Sequence, residues 1–197
     1  PRASVSAKRI GEVLETTPAI CNGSRTEGQP GKTGTVEFRN VSFRYPDAEE
    51  NVLNHITFTA EKGETVALIG STGCGKSTVV NLIPRFYDAT EGEILIDGVN
   101  IREYDQHALR NKIGYVSQKA ILFKGTIRSN IAYGDNGTDH TALEAQVEDA
   151  VATAKAEEFV KQIGNTYDGY VAQGGSNFSG GQKQRISIAR AIARKPE

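Results

Sequence analysis

An amphipathic helix is the first element that the hydrophobic pattern predicts. Within "ASVSAKRIGEVLETTP", apolar residues recur at roughly helical spacing, at Val5, Ile10, Val13 and Leu14. Pro18 ends this pattern. Residues 22–34, "NGSRTEGQPGKTG", are rich in glycine and polar residues and predict a flexible linker. We therefore expect a packed domain to start at Thr35.

Residues 36–45 alternate instead with the period of a β-strand. The apolar residues first occupy even positions, Val36 and Phe38, and then odd positions, Val41, Phe43 and Tyr45. The switch at Asn40 predicts a bulge or a sharp bend. The stretch "NVLNHITFTAEKGETVALIG" then predicts a second strand, a Lys-Gly turn and a buried strand at residues 65–69.

The remaining pattern mixes strands with helices. "EILIDGVNI" predicts a hairpin with Asp97 and Gly98 at its turn. "HALRNKI" predicts a short helix, and "GYVSQ" a buried strand. From about Ile127 to Ile163 the spacing is helical, and a last helix follows "FSGGQ". The order of elements predicts a mixed α/β fold.

Composition excludes several classes of protein. The 197 residues carry a net charge of −1 with both signs interspersed, so nothing favours nucleic acid as a partner. No apolar run is long enough to cross a bilayer, and the chain opens on no secretory signal pattern. The two cysteines, Cys21 and Cys74, lack metal-ligand spacing and suggest a reducing compartment.

One stretch, "GSTGCGKST", fits the phosphate-loop pattern G-x-x-x-x-G-K-[ST]. The loop comprises Gly70, Ser71, Thr72, Gly73, Cys74, Gly75, Lys76, Ser77 and Thr78. Glycines allow successive backbone N–H groups to wrap phosphates, and the start of a helix adds further donors. Lys76 is expected to reach the β- and γ-phosphates, and the Ser77 hydroxyl to ligate Mg²⁺. By itself this motif predicts only a nucleotide-binding superfamily.

Three further motifs resemble those of ATP-binding cassette (ABC) proteins. "FSGGQKQR" is similar to their signature motif, "YVSQ" puts Gln118 where the family has its Q-loop glutamine, and "LFKGTIRSNIAYG" resembles the exporter branch. "FRYP" places Tyr45 at the aromatic position that stacks on adenine. The resemblance implies that Gln118 positions the attacking water and Mg²⁺. It implies that Ser179, Gly180, Gly181 and Gln182 contact ATP.

The resemblance also implies a fold and a division into domains. The fold is a P-loop NTPase core of the RecA/F1 type with an antiparallel β subdomain and a helical subdomain at about 119–190. Residues 1–34 would be the linker after a membrane domain, and residues 35–197 a partial ATPase domain. The family's Mg²⁺-directing Asp, catalytic Glu and switch His would follow residue 197. We therefore expect these residues alone to be marginally stable and deficient in hydrolysis.

The implied function is that of the ATP-driven motor domain of an exporter, on the cytoplasmic face of the cell membrane. Its partners would be the transmembrane domain of the same transporter and a second nucleotide-binding domain. Head-to-tail pairing, as a homodimer or a heterodimer, would place the signature motif on the ATP of the opposite protomer. Two alternatives stay open: a soluble ABC-type ATPase of DNA repair or chromosome architecture, and a nucleotide sensor that does not hydrolyse.

The start of the last helix has a physical interpretation of its own. Ser179 is suited to cap it, and Gly180 and Gly181 would expose backbone N–H groups to an anion. A polar stripe is expected at Lys183, Ser187, Arg190 and Arg194. The apolar residues expected to be buried are Ile186, Ile188, Ala189, Ile192 and Ala193. Two departures from the family are Phe178 in place of Leu, and "VAQGGSN", which lacks the acidic-arginine pattern that often precedes the signature.

Overall fold

The computed structural model describes residues 2–133 and 146–197, in two compact units, Pro1–Gln106 and His107–Glu197. Part of the predicted helical stretch, residues 134–145, lies outside the described residues. Within the described ranges, no helix combines the length and apolar character needed to cross a membrane.

The first unit opens with the predicted amphipathic helix, α1 (Arg2–Glu15). Its apolar residues are more than half exposed. The segment at 22–34 has no helix or extended strand, yet it is tied to the sheet that follows. The Gln29 amide donates to the Asp97 carbonyl at 2.8 Å, and the Gly34 amide donates to the Asp97 carboxylate at 2.7 Å. These bonds hold the segment against the unit, whereas the sequence predicts a flexible linker there.

Four antiparallel strands form the sheet of the first unit. They are β1 (Val36–Phe43), β2 (Leu53–Ala60), β3 (Glu91–Ile96) and β4 (Val99–Asn100), in the order β2-β1-β3-β4. The predicted irregularity at Asn40 is confirmed: its φ is 51°, and the register with β2 shifts between Phe38 and Val41. The shift lets both of these residues be fully buried on the core side.

The hairpin between β3 and β4 is also confirmed. Asp97 and Gly98 have φ values of 51° and 74°. Two consecutive left-handed residues are what a two-residue hairpin turn requires for its twist to match that of its strands. The Asp97 side chain then accepts the Gly34 amide, so the turn also anchors the preceding segment.

Two predicted buried strands are wrong. Residues 65–69 and 114–118 have no strand structure, and the side chains of Val66, Leu68 and Ile69 are 47%, 39% and 94% exposed. A strand needs a neighbour to pair its backbone N–H and C=O groups, and no described residue pairs with either segment. The sequence therefore encodes two β-prone segments for which the described chain supplies no sheet.

Two helices, α2 (Lys76–Leu82) and α3 (Gln106–Asn111), confirm the predicted helix after the phosphate loop and the predicted short helix. Beyond α2, Arg85 is 3% exposed and is neutralised by Asp88 at 2.7 Å. Its guanidinium also donates to the carbonyl of Arg102 at 3.3 Å. A buried charge is tolerated only when it is paired in this way.

The second unit is mainly helical. Its elements are α4 (Ile127–Ile131), α5 (Val147–Thr153), α6 (Glu157–Gln162) and α7 (Gly180–Ala193), with a small sheet of β5 (Gly125–Thr126) and β6 (Tyr170–Val171). The core contains Ile127, Val151, Phe178 and Ile186. Phe178 is 7% exposed and meets Phe159 edge-on at 6.4 Å. The large apolar residue at the first position of the signature motif is thus accommodated by an aromatic neighbour.

The exposed segment at residues 65–69 generates a prediction about self-association. Unpaired, apolar, β-prone residues at a surface are a template for contact between copies. We expect Ile69→Lys to reduce self-association in sedimentation-velocity experiments. The unfolding temperature should stay unchanged, because the Ile69 side chain is 94% exposed.

Val13→Lys is the matched control, because Val13 is an apolar residue of α1 that is 74% exposed. Equal self-association of Ile69→Lys and the unsubstituted chain would contradict the prediction. So would an equal reduction by both substitutions.

Candidate functional site

The phosphate loop lies between the exposed segment at 65–69 and α2. Gly73 and Gly75 have φ values of 88° and 91°, in the left-handed region that disfavours other residues. Residues 71–74 are all exposed, and the left-handed Gly75 starts α2. The backbone conformation itself therefore accounts for two of the glycines of the motif.

Gly75 is also constrained from outside the loop. A Cβ atom there would lie 2.7 Å from Leu53 Cδ2 and 3.1 Å from the Val52 carbonyl oxygen. The loop thus rests on the start of β2, at a distance that only glycine permits. Sequence reasoning did not identify this support, because residues 52 and 53 have no motif of their own.

The Lys76 ammonium closes the loop. It donates to the carbonyl oxygens of Gly70 at 2.8 Å and Ser71 at 2.6 Å, and it lies 3.4 Å from Cys74 Sγ. A compact cation across a ring of backbone groups is chemically suited to an anion such as a phosphate group. Ser77 is exposed, and its neutral hydroxyl oxygen is the kind of ligand that Mg²⁺ accepts. The residues present thus fit both a nucleotide phosphate chain and Mg²⁺.

Tyr45 lies directly beside α2. Its ring meets Phe43 at 4.8 Å and Tyr87 at 5.2 Å between centroids, both nearly perpendicular. Its hydroxyl lies 3.1 Å from Thr78 Oγ1, so the two side chains share a hydrogen bond. The structure therefore brings the predicted adenine-stacking residue together with the last residue of the phosphate loop.

Gln118 belongs to the second unit and ends the segment 114–118, which forms no strand. Next to it, the Ser117 hydroxyl donates to the Lys119 carbonyl at 2.8 Å, which turns the chain locally. Gln118 is solvent-exposed, as a residue that contacts a ligand needs to be before binding. Its proposed role toward water and Mg²⁺ stays a prediction.

The signature motif begins α7 with a capping box. Ser179 Oγ accepts the Gln182 amide at 3.3 Å, and Gln182 Oε1 accepts the Ser179 amide at 2.9 Å. The predicted cap at Ser179 is confirmed. These bonds use the acceptor atoms of both side chains. The Ser179 hydroxyl proton and the Gln182 NH₂ group remain as donors that an anion could accept.

No contact among the described residues requires the glycine pair that follows Ser179. Gly180 and Gly181 lie within α7, neither has a positive φ, and an added Cβ on either would meet no atom within 4 Å. Glycine disfavours a helix by up to about 1 kcal/mol relative to alanine. The described chain thus shows no steric reason for either glycine.

The rest of α7 follows the predicted pattern in part. Ile186, Ala189 and Ala193 are buried as expected, whereas Ile188 and Ile192 are half-buried against the same core. Ser187, predicted to lie on a polar stripe, is 7% exposed, and its hydroxyl has no hydrogen-bond partner among residues 2–133 and 146–197.

Arg190 has a role that the sequence did not reveal. Its guanidinium donates to the Asn130 carbonyl at 2.7 Å, to Asn130 Oδ1 at 3.1 Å and to the Ile121 carbonyl at 3.1 Å. Phe123 and Tyr133 stack at 4.4 Å, and each ring lies within 6 Å of the same guanidinium. Burial lowers the pKa of Arg190 from its very high ordinary value. This cation fixes α7 to the segment that follows Gln118.

Comparison with known proteins places these features in a family. A family model described as "ABC transporter" matches residues 53–197. An uncharacterised ABC transporter ATP-binding protein of Mycobacterium tuberculosis is 47% identical over the whole chain, which spans 33% of that relative. Multidrug resistance protein 1 of Entamoeba histolytica is 43% identical over the whole chain, which spans 15% of that protein.

A solved structure agrees with the sequence comparisons. A bacterial Atm1-family ABC exporter with ATP bound matches 99% of this chain and 34% of its own, with a TM-score of 0.87 and 34% identity. The match confirms the predicted P-loop ATPase fold with its antiparallel sheet and helices. The chain spans about a third of the length of the first of these relatives, and it belongs to the ABC transporter family as an ATP-binding domain.

Proposed function

We propose that this domain binds Mg·ATP and drives export of a substrate across a membrane. The observation that carries the proposal is the phosphate loop, with left-handed Gly73 and Gly75 and the Lys76 ammonium spanning it. Support for export comes from the likeness to the Atm1-family exporter and to a multidrug resistance protein.

The loop would act mainly by positioning charge. Lys76 exchanges its bonds with the Gly70 and Ser71 carbonyls for phosphate oxygens, and the backbone N–H groups of the loop donate to the same phosphates. The Ser77 hydroxyl is proposed to ligate Mg²⁺, which would neutralise charge on the phosphates. The Gln118 amide is proposed separately, as a group that acts on the attacking water and Mg²⁺.

The signature motif is proposed to bind ATP held by a second nucleotide-binding domain. This chain already has one complete phosphate loop, yet Gly180 and Gly181 leave the start of α7 open for close approach. The remaining donors of Ser179 and Gln182, with backbone N–H groups, suit a terminal phosphate. A head-to-tail pair of domains satisfies both observations. The pair would lie at the cytoplasmic face of the membrane, bound to a transmembrane domain.

The first prediction of the proposed function concerns Lys76. Lys76→Ala should weaken ATP binding by about 1.5–3 kcal/mol, because a charge-assisted contact to phosphate is lost. Isothermal titration calorimetry measures this. Lys62→Ala, which removes an exposed lysine from the turn after β2, is the control and should leave the affinity unchanged. Equal affinities for all three proteins would refute nucleotide binding by this loop.

The second prediction concerns Gly181. Gly181→Ala should preserve or slightly raise thermal stability, because its Cβ meets open space and alanine favours a helix. ATP-dependent dimerisation should weaken about tenfold or more, equivalent to about 1.4 kcal/mol. Sedimentation with a non-hydrolysable ATP analogue measures it, and monomer affinity for the analogue should persist.

Gly164→Ala is the matched control, because it also adds a Cβ in open space within the second unit. It should dimerise normally. Normal dimers of Gly181→Ala would overturn the proposed contact in trans. If the domain dimerises only with a nucleotide-binding domain of different sequence, the pair is a heterodimer.

The third prediction concerns turnover. We expect the 197 residues alone to release phosphate from ATP no faster than their Lys76→Ala variant does. Steady phosphate release that Lys76→Ala abolishes would overturn this expectation.

In the whole protein, Gln118→Ala should lower turnover more than ATP affinity, because the amide is proposed to act on water and Mg²⁺. Binding without any turnover in the whole protein would favour the alternative of a nucleotide sensor.

A further inference from the structure

The hydrogen bond between Tyr45 and Thr78 joins two parts of the site that the sequence motifs treat separately. Tyr45 follows β1, whereas Thr78 lies in the first turn of α2. Thr78 is 5% exposed, and its side-chain oxygen lies 3.1 Å from the Tyr45 hydroxyl. A buried hydroxyl that loses its partner is costly, so the two side chains constrain each other's position.

Aromatic contacts hold the Tyr45 ring in place and thereby fix the position of its hydroxyl group. Phe43 is 2% exposed and meets the ring from β1, while Tyr87 meets it from the segment after α2. In the backbone, the Arg44 amide donates to Thr90 Oγ1 at 3.0 Å, and the Thr90 amide donates to the Ser42 carbonyl at 2.9 Å. The end of β1 is thereby bound to the chain beyond α2.

Stacking on a base requires the aromatic ring of Tyr45 and not its hydroxyl group, so the hydroxyl has a separate function. A phenylalanine ring would make the same aromatic contacts, so among the described residues the hydroxyl is needed only for its bond to Thr78. The residues before α2 are exposed, from 61 to 74, and give the loop little packing of its own. The loop is instead located from its far end, by Gly75 on β2 and by Thr78 on Tyr45.

We propose that the Tyr45 hydroxyl is a positioning group that, through Thr78, sets the phosphate loop for its ligand. This proposal rests on the proposed function, since it concerns how tightly the loop binds phosphates. Base and phosphates would be recognised as one unit, because the residue beside the base also orients the helix that begins at Lys76. Stacking and positioning are separate contributions of the ring and of the hydroxyl.

The experiment separates these contributions with three ligands measured by calorimetry on the full chain. ATP has base and phosphates, AMP lacks the β- and γ-phosphates, and inorganic tripolyphosphate lacks the base. Tyr45→Phe should weaken ATP and tripolyphosphate about three- to tenfold and leave AMP unchanged. Tripolyphosphate has no base to stack on Tyr45. A loss of tripolyphosphate affinity in Tyr45→Phe therefore reports on the phosphate loop alone.

A double-mutant cycle tests the path through Thr78. In a Thr78→Val background the Tyr45→Phe effect should vanish, because the bond is already gone; in Thr78→Ser, which keeps a hydroxyl, the effect should persist. An equal loss for AMP and ATP, or an undiminished effect in Thr78→Val, would overturn the proposal. So would unchanged affinities in Tyr45→Phe, provided that Lys76→Ala still weakens ATP. If the unsubstituted chain binds neither ATP nor tripolyphosphate, the proposed function fails as well.

Discussion

The close approach of Gly75 to β2 is the constraint on which the arrangement of the site depends. At this residue the backbone is left-handed, at a φ of 91°, and lies so close to Val52 and Leu53 that an added Cβ would clash with them. Either demand alone favours glycine, and together they exclude any other residue without a shift of the loop or of the strand. This contact, together with the hydrogen bond between Thr78 and Tyr45, locates the start of α2 and with it Lys76 and Ser77.

The glycines of the two motifs serve different purposes, although both motifs are glycine-rich. Those of the phosphate loop are explained within the chain, by positive φ at Gly73 and Gly75 and by the contact with β2. Gly180 and Gly181 have ordinary helical φ and open surroundings, so they weaken α7 and relieve no crowding in the described chain. The capping box of Ser179 and Gln182 offsets part of that cost. The benefit of the pair is therefore to be sought in a contact from outside.

The sequence predicted what local chemistry decides. Parity along β1 located the bulge at Asn40, "DG" located the hairpin turn, and Ser179 located the cap of α7, because each depends on residues a few positions apart. The strands predicted at 65–69 and 114–118 did not form, since a strand depends on a partner that no local pattern supplies. The contact between Tyr45 and Thr78 was equally invisible, as 33 positions separate the two residues.

Arg190 shows how a charged residue in a partly buried helix can orient the predicted ligand-binding end of that helix. Three donors of one guanidinium reach oxygens of Asn130 and Ile121, and Asn130 in turn accepts the Phe123 amide at 2.7 Å. Apolar packing fixes which face of α7 is buried, but packing alone tolerates small rotations and sliding. Directed hydrogen bonds to backbone carbonyls remove that freedom. Arg190 lies three turns beyond the cap on the same helix. A rotation of α7 about its axis would redirect the donors of Ser179 and Gln182, and the bonds of Arg190 prevent such a rotation. The same bonds bind α7 to the segment after Gln118, so the two predicted ligand-contacting groups of this unit share one anchor.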